Sequence, residues 1–172
     1  KEFPKIINNL SGKNFSIDRN SCSVFNKSII LSKFNILNET DPCYSLKSIK
    51  NKTEIKNMID AHIKDGAALT KFLYWIKNIK KLNLTEIDAE KKLESFRKKN
   101  TNFLYPSFNT IAGSGPNGAI IHYRANKNSN RKINKSDIFL CDSGGQYKYG
   151  TTDVTRTVCF SKPKPKIKDI FT

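Results

Sequence analysis

The chain has 172 residues, a formal net charge of +16 and 37% hydrophobic residues, which suits one domain, or part of one domain with the remnant of another. No apolar run approaches the roughly 20 residues that span a bilayer, and no signal-peptide pattern is present. The lysines are dispersed through loops and helices with no aromatic–basic RNA module, so the basic excess reads as compositional background rather than a nucleic-acid or membrane footprint.

The first forty residues read as the tail of another domain. A short helix is predicted over 3–10, with Pro4 tolerated in its first turn. A short strand is predicted over 14–18, and a helix over 21–31 carrying Val24, Phe25, Ile29 and Ile30. Residues 35–42 read as loop, with Pro42 marking a turn or linker. The chain opens on Lys1 rather than Met, read as an artificial or processing boundary. From Tyr44 the pattern changes. Ile55, Met58, Ile59, Ile63, Leu69, Phe72, Leu73 and Ile76 recur at helical spacing, which predicts a long amphipathic helix over 53–79. Its stripe reads as core. Gly66 weakens the middle by about 1 kcal/mol relative to Ala and suggests close packing of another backbone there.

A second helix starts at Thr85, with Asp88 three residues on in a near capping box. Ile87, Leu93 and Phe96 form its apolar side, while Lys91, Lys92, Arg97, Lys98 and Lys99 read as a solvated face. Strands are predicted over 105–112 and 119–123. The segment 113–118 between them (GSGPNG) is glycine-rich but lacks the Gly-Lys-Ser/Thr of a phosphate loop. After a polar loop over 127–135 come two strand-like runs, one ending on Asp142 and one opening on Asp153, eleven residues apart. With the reversal near Tyr147 and Lys148, the two acids face each other across an antiparallel hairpin, with Cβ atoms roughly 5 Å apart. Unpaired, such carboxylates repel and one takes up a proton. A divalent cation removes the conflict. An arbitrary Asp pair at this spacing is more often simply solvated. A Lys/Pro connection over 162–166 follows, and a helix is predicted to begin near Ile167.

The four cysteines, Cys22, Cys43, Cys141 and Cys159, form neither a CxxC nor a Cys/His cluster of zinc spacing. They read as free thiols in a reducing compartment. The Asn-x-Ser/Thr triplet at Asn83 follows from the Asn-rich composition and is weak evidence for glycosylation. Two histidines occur, His62 and His122. On residue type alone, His62 is a helix histidine and His122 a strand residue with a satisfied ring.

The neighbouring residues shift that weighting. The stretch 141–160, CDSGGQYKYGTTDVTRTVCF, resembles the metal-binding hairpin of the aminopeptidase P (X-Pro aminopeptidase) family of pita-bread metallopeptidases. The aspartate spacing is common to the wider superfamily, and the fuller strings DSGGQY and GTTDVTRT are similar to aminopeptidase P in particular. Tyr149 departs from the pattern, which often has an acid before the glycine. Segment 61–69 (AHIKDGAAL) resembles the entry helix, 93–97 (LESFR) the helix after it, and 115–123 (GPNGAIIHY) the substrate-site segment. The separation of 20 residues between His122 and Asp142 also fits.

The resemblance implies an α/β (α+β) fold: the N-terminal half of a pita-bread catalytic domain over 46–172, preceded by the C-terminal part of an α/β domain over 1–45. It implies a metal-dependent aminopeptidase acting on peptides with proline in second position. Asp142 and Asp153 would be metal ligands, with Asp153 bridging two divalent ions, expected to be Mn2+, as oxygen-rich ligation favours. His122 would be the catalytic residue facing the substrate. The family's remaining ligands, a histidine and two glutamates, lie further along than Thr172, so the chain alone is expected to be inactive. The implied partners are a proline-containing peptide and the C-terminal half of the catalytic domain. A homodimer is compatible with the resemblance, and nucleic acid is disfavoured. The expected location is cytoplasmic. The competing reading is a non-catalytic pita-bread protein that binds peptide or nucleic acid, favoured by the charge and disfavoured by the two aspartates and His122. Methionine aminopeptidase or prolidase would share the aspartates but not the longer strings.

Overall fold

The computed structural model describes residues 2–79 and 83–171; Lys1 and Thr172, at the ends of the two expected domains, lie outside the described residues. The chain divides into two units, Lys1–Asn51 and Lys52–Thr172.

In the first unit, helix α1 (Phe3–Asn9) leads into strand β1 (Asn14–Ile17), helix α2 (Val24–Leu31), strand β2 (Asn35–Asn38) and helix α3 (Pro42–Ser48). β1 and β2 pair in parallel, Asn14 with Asn35 through Ile17 with Asn38. The connecting α2 is capped by Ser23, whose side chain accepts from the Asn26 amide. Ile7, Ile17, Ile30 and Phe34 are buried together. The predicted loop over 35–42 is therefore a strand followed by a helix start. β2 was hidden because it is short and only Ile36 of its side chains is half-buried. Pro42 opens α3, with Asp41 accepting from the Cys43 amide, a position where proline's missing N–H costs nothing.

The second unit begins with α4 (Lys52–Lys77), followed by α5 (Glu86–Arg97). The α5 capping box forms as expected: Thr85 Oγ1 accepts from the Asp88 amide at 3.2 Å, and Asp88 accepts from the Thr85 amide at 3.0 Å. The core lies where these helices meet the sheet, through Leu69, Phe72, Ile76, Ala89, Leu93, Ala112, Ile133, Phe139 and Cys141. Burying a side chain such as Phe72 or Leu93 stabilises by about 1.5–3 kcal/mol. The buried face of α4 is Ala61, Asp65, Ala68, Leu69, Phe72 and Ile76. The predicted stripe holds only in the second half, since Ile55, Ile59 and Ile63 are 49%, 54% and 65% exposed. In the first half small residues are inward, and they admit another segment: a Cβ on Gly150 would lie 2.9 Å from the Ala61 Cβ and 3.2 Å from the Asn57 carbonyl oxygen. The close approach expected at Gly66 is made by Gly150 instead, and no neighbour lies within 4 Å of a Cβ built at Gly66.

Strands β3 (Phe103–Pro106), β4 (Ile111–Ser114), β5 (Ile138–Ser143), β6 (Gly145–Tyr147), β7 (Gly150–Thr151) and β8 (Val154–Cys159) form two antiparallel sheets, ordered β3-β6-β7 and β4-β5-β8. The single strand predicted over 105–112 is split between them. Helix α6 (Pro165–Phe171) follows, where a helix start near Ile167 was predicted.

The predicted strand over 119–123 is not a strand. Residues Gly115–Ala119 form a 3-10 turn. The glycine-rich segment folds back on itself so closely that a Cβ on Gly113 would meet the Gly118 Cα at 2.7 Å. Gly115 takes φ +57°, open to glycine at little cost. The hub is Glu86, fully buried at the first turn of α5. Its carboxylate accepts from the amides of Ser114 and Arg131 (2.7 and 2.9 Å), from Asn117 Nδ2 (3.1 Å) and from the Tyr123 hydroxyl (2.7 Å). These bonds give the 114–131 segment partners that a sheet ladder would otherwise supply.

Candidate functional site

The site is built on one β-ribbon. Along β5 and β8, Asp142 pairs with Thr155 and Ser143 with Val154. The same register runs on through β6 and β7, where Gln146 pairs with Thr151 and Tyr147 with Gly150. The reversal therefore falls at Lys148–Tyr149, a two-residue turn of the kind favoured in hairpins. It had been expected near Tyr147 and Lys148, and this displacement slides the arms by two residues. Asp142 and Asp153 are consequently not directly opposed. Asp153 lies two residues before the Thr155 that faces Asp142, a diagonal relation for which typical spacing is roughly 7–8 Å rather than 5 Å.

The ribbon changes sheets between the two acids. Gly144 and residues 152–153 belong to no strand, and Ser107 staples the bend. Its amide donates to the Gly144 carbonyl at 3.2 Å and its hydroxyl to the Thr152 carbonyl at 2.8 Å. Thr152 Oγ1 accepts from the Gly145 amide at 2.9 Å. Burial alternates along β5 and across residues 151–153. Cys141, Ser143 and Thr152 point inward and are buried, whereas Asp142 is half-buried and Asp153 exposed. Asp142 Oδ1 accepts from the Thr155 hydroxyl at 2.8 Å, which orients that carboxylate. Burial pushes the Cys141 thiol up to about 11, so it is a packed, unreactive group.

Beneath the bend lies an ion pair missed in the sequence. Asp65 of α4 and Arg97 of α5 are fully buried, joined by Arg97 Nε to Oδ1 at 2.6 Å and Nη2 to Oδ2 at 2.9 Å. The Tyr147 hydroxyl donates to Asp65 Oδ1 at 2.7 Å, and Arg97 Nη2 donates to Ser143 Oγ at 3.1 Å. Arg97 thus leaves the solvated face expected for it. A signal existed: Asp65 falls four residues from Ala61 and Leu69, and Arg97 four from Leu93, so an acid and a base each interrupt an apolar helix face.

Burial by itself would raise the Asp65 carboxyl. Hydrogen bonds and charge from Arg97, then Tyr147 and Thr152, outweigh it and hold the group below its ordinary 3.8. A folded-state value below the unfolded one means that Asp65 contributes stability above pH 3.8 that is lost as pH falls through the lowered value. The urea midpoint of the wild-type chain should fall more steeply as pH drops below 3.8 than that of Asp65→Asn; parallel curves would count against it. Burial and Asp65 both raise the Tyr147 phenol.

His122 sits outside the ribbon. It follows the 3-10 turn, is exposed, and adopts φ +54°, a left-handed conformation in which His is enriched among non-glycine residues. The next residue, Tyr123, is buried and tied to Glu86. The turn leans on β5, with Gly118 against Leu140, two residues from Asp142. Asp142 and Asp153 thus share one ribbon while His122 belongs to a neighbouring loop. Among the described residues no three or more His, Cys, Asp or Glu side chains form a metal-holding group. Two carboxylates of this kind suit a hard divalent ion chemically.

A model of metallopeptidase family M24 matches residues 56–172. Xaa-Pro aminopeptidase ApepP of Drosophila melanogaster is 44% identical over 145 residues, covering 83% of this chain and 24% of that protein. The X-prolyl aminopeptidase of Caenorhabditis elegans, described as a cytosolic enzyme with a di-nuclear active site, superposes with a TM-score of 0.71 at 34% identity, over 81% of this chain and 23% of that one. The prolidase of Pyrococcus horikoshii superposes with a TM-score of 0.80 at 25% identity, over 99% of this chain and 48% of that one. The chain therefore spans about a quarter of the first two relatives. The mixed helix-and-sheet fold expected from the sequence is that of these proteins over part of their length.

Proposed function

The chain belongs to metallopeptidase family M24, and from that premise we propose that it forms part of an X-Pro aminopeptidase, removing the first residue from peptides with proline in second position. The observation that carries this reading is the 44% identity to a Xaa-Pro aminopeptidase across 83% of the chain. The bent ribbon supports it, presenting Asp142 and Asp153 on its outer side while its inner side is anchored. In this reading residues 46–172 are the first part of the pita-bread domain and residues 1–45 the end of the domain before it. The rest of the catalytic domain completes the ligand set, and the chain alone is inactive. The location proposed is the cytosol, as described for the C. elegans enzyme.

Asp142 and Asp153 would hold two divalent ions, with Mn2+ proposed. When bound, these ions would lower the pKa of a water and polarise the scissile carbonyl. The chain's own contributions are separate from that. The Thr155 hydroxyl fixes the direction of Asp142. The left-handed backbone of His122 presents its imidazole outward, where a ring nitrogen would bind the substrate or carry a proton. The Glu86 network holds the loop from which it projects.

The complete protein containing this chain should release the first residue from an X-Pro peptide with added Mn2+, and lose that activity on chelation. His122→Ala should slow turnover without changing Mn2+ binding. A complete, metal-loaded protein that binds such peptides and leaves them intact would instead support the non-catalytic reading.

A further inference from the structure

The ion pair beneath the ribbon meets the Asp142 arm directly and reaches the Asp153 arm through Gly145. Arg97 holds Ser143, adjacent to Asp142. Asp65 holds Tyr147 at the hairpin tip and lies against Gly145, whose amide donates to Oγ1 of Thr152, adjacent to Asp153. Inward and outward side chains alternate along a strand. Pinning 143 and 152 inward therefore sets where 142 and 153 project outward. Two geometric facts show how little slack remains. A Cβ on Gly145 would lie 3.2 Å from Asp65 Oδ1, and one on Gly144 would lie 1.9 Å from the Thr152 carbonyl oxygen. At Gly145 the ribbon is pressed onto the pair with no side chain between them, and at Gly144 one arm is pressed onto the other.

We propose that Asp65 and Arg97, acting through Ser143, Tyr147 and Thr152, are positioning residues that set the separation of the Asp142 and Asp153 carboxylates across the bend. The inference rests on the reading of those two aspartates as metal ligands. A guanidinium suits the task because its planar fork reaches Asp65 with two nitrogens while Nη2 also meets Ser143. An ammonium on a flexible stem keeps the charge and loses the fork. The role is that of an outer-shell partner, whose loss costs metal affinity without removing a ligand.

The test is a Mn2+ titration of the metal-free complete protein by calorimetry, beside the visible spectrum of its Co2+ form and a thermal melt. Ser143→Ala and Arg97→Lys should each weaken Mn2+ binding about tenfold and alter the Co2+ spectrum. Ser143→Ala should melt near the wild-type temperature, so that the loss cannot be assigned to unfolding. Tyr147→Phe provides a third arm should Arg97→Lys fold poorly, and it should weaken binding in the same direction. Wild-type affinity and an unchanged spectrum in Ser143→Ala and Tyr147→Phe would overturn the proposal and reduce the pair to a structural bridge. Asp142→Ala and Asp153→Ala are run in parallel. If they too leave Mn2+ binding unchanged, the ligand reading itself fails, and the positioning role falls with it.

Discussion

Arg97→Leu should lower the stability of the chain by about 3–5 kcal/mol, read from the urea midpoint at neutral pH, because it leaves a buried carboxylate without its counter-charge. Asp65 has no solvent exposure, and among the described residues the Tyr147 hydroxyl would remain as its hydrogen-bond donor after the substitution. A carboxylate in that position either remains charged at high cost or takes up a proton. Asp65→Leu alone should be similarly damaging, since it strands a guanidinium that cannot be neutralised. The double replacement Asp65→Leu/Arg97→Leu should be more stable than either single variant. Two apolar side chains of comparable size remove both desolvation penalties together. It should still fall short of the wild type, since the Tyr147 hydroxyl and Ser143 Oγ each lose a buried partner. The cycle should therefore show a coupling larger than either single loss, above about 3 kcal/mol. Additive losses would mean that the pair does not act as a unit.

What was legible in the sequence was what local chemistry decides. The α5 start follows from Thr85 and Asp88, which need only each other. The second half of α4 follows from Leu69, Phe72 and Ile76, whose spacing matches their burial. The two ribbon arms follow from β-branched runs flanking a glycine-containing turn. What was not legible depends on partners distant in sequence. Residues 119–123 look like a strand because Ile120, Ile121 and Tyr123 are strand formers. Glu86, 37 residues before Tyr123, holds that segment in a loop instead. The ribbon register turned on which two residues make the reversal. An error of one position there moved Asp153 from facing Asp142 to lying diagonal to it. Arg97 looked solvated because lysines surround it in sequence, and the acid that buries it is 32 residues away. The family resemblance drew attention to 142, 153 and 122, while the pair that supports the ribbon stood in the neighbouring strings without a role.

Gly144→Ala should destabilise the chain by about 3 kcal/mol or more, beyond what most overpacked positions cost. The added Cβ would lie 1.9 Å from the Thr152 carbonyl oxygen and 2.2 Å from Ser107 Oγ. The serine can rotate away at the expense of its 2.8 Å hydrogen bond to that same carbonyl. The carbonyl is main chain and moves only if the β8 arm moves with it. Ser107→Ala/Gly144→Ala should therefore recover only a small part of the loss. Gly66→Ala gives the opposite sign on the same chain. No neighbour lies within 4 Å of a Cβ there and the residue is in the interior of α4, so the exchange should stabilise by about 0.5–1 kcal/mol through helix propensity and unfolded-state entropy. The contrast separates two uses of glycine that look alike in sequence. At Gly66 the missing side chain is dispensable, whereas at Gly144 it lets one arm of the ribbon cross the other at the bend between Asp142 and Asp153. An alanine tolerated at 144 would mean that the arms can part without cost, and then no underlying anchor could hold those two carboxylates at a set distance.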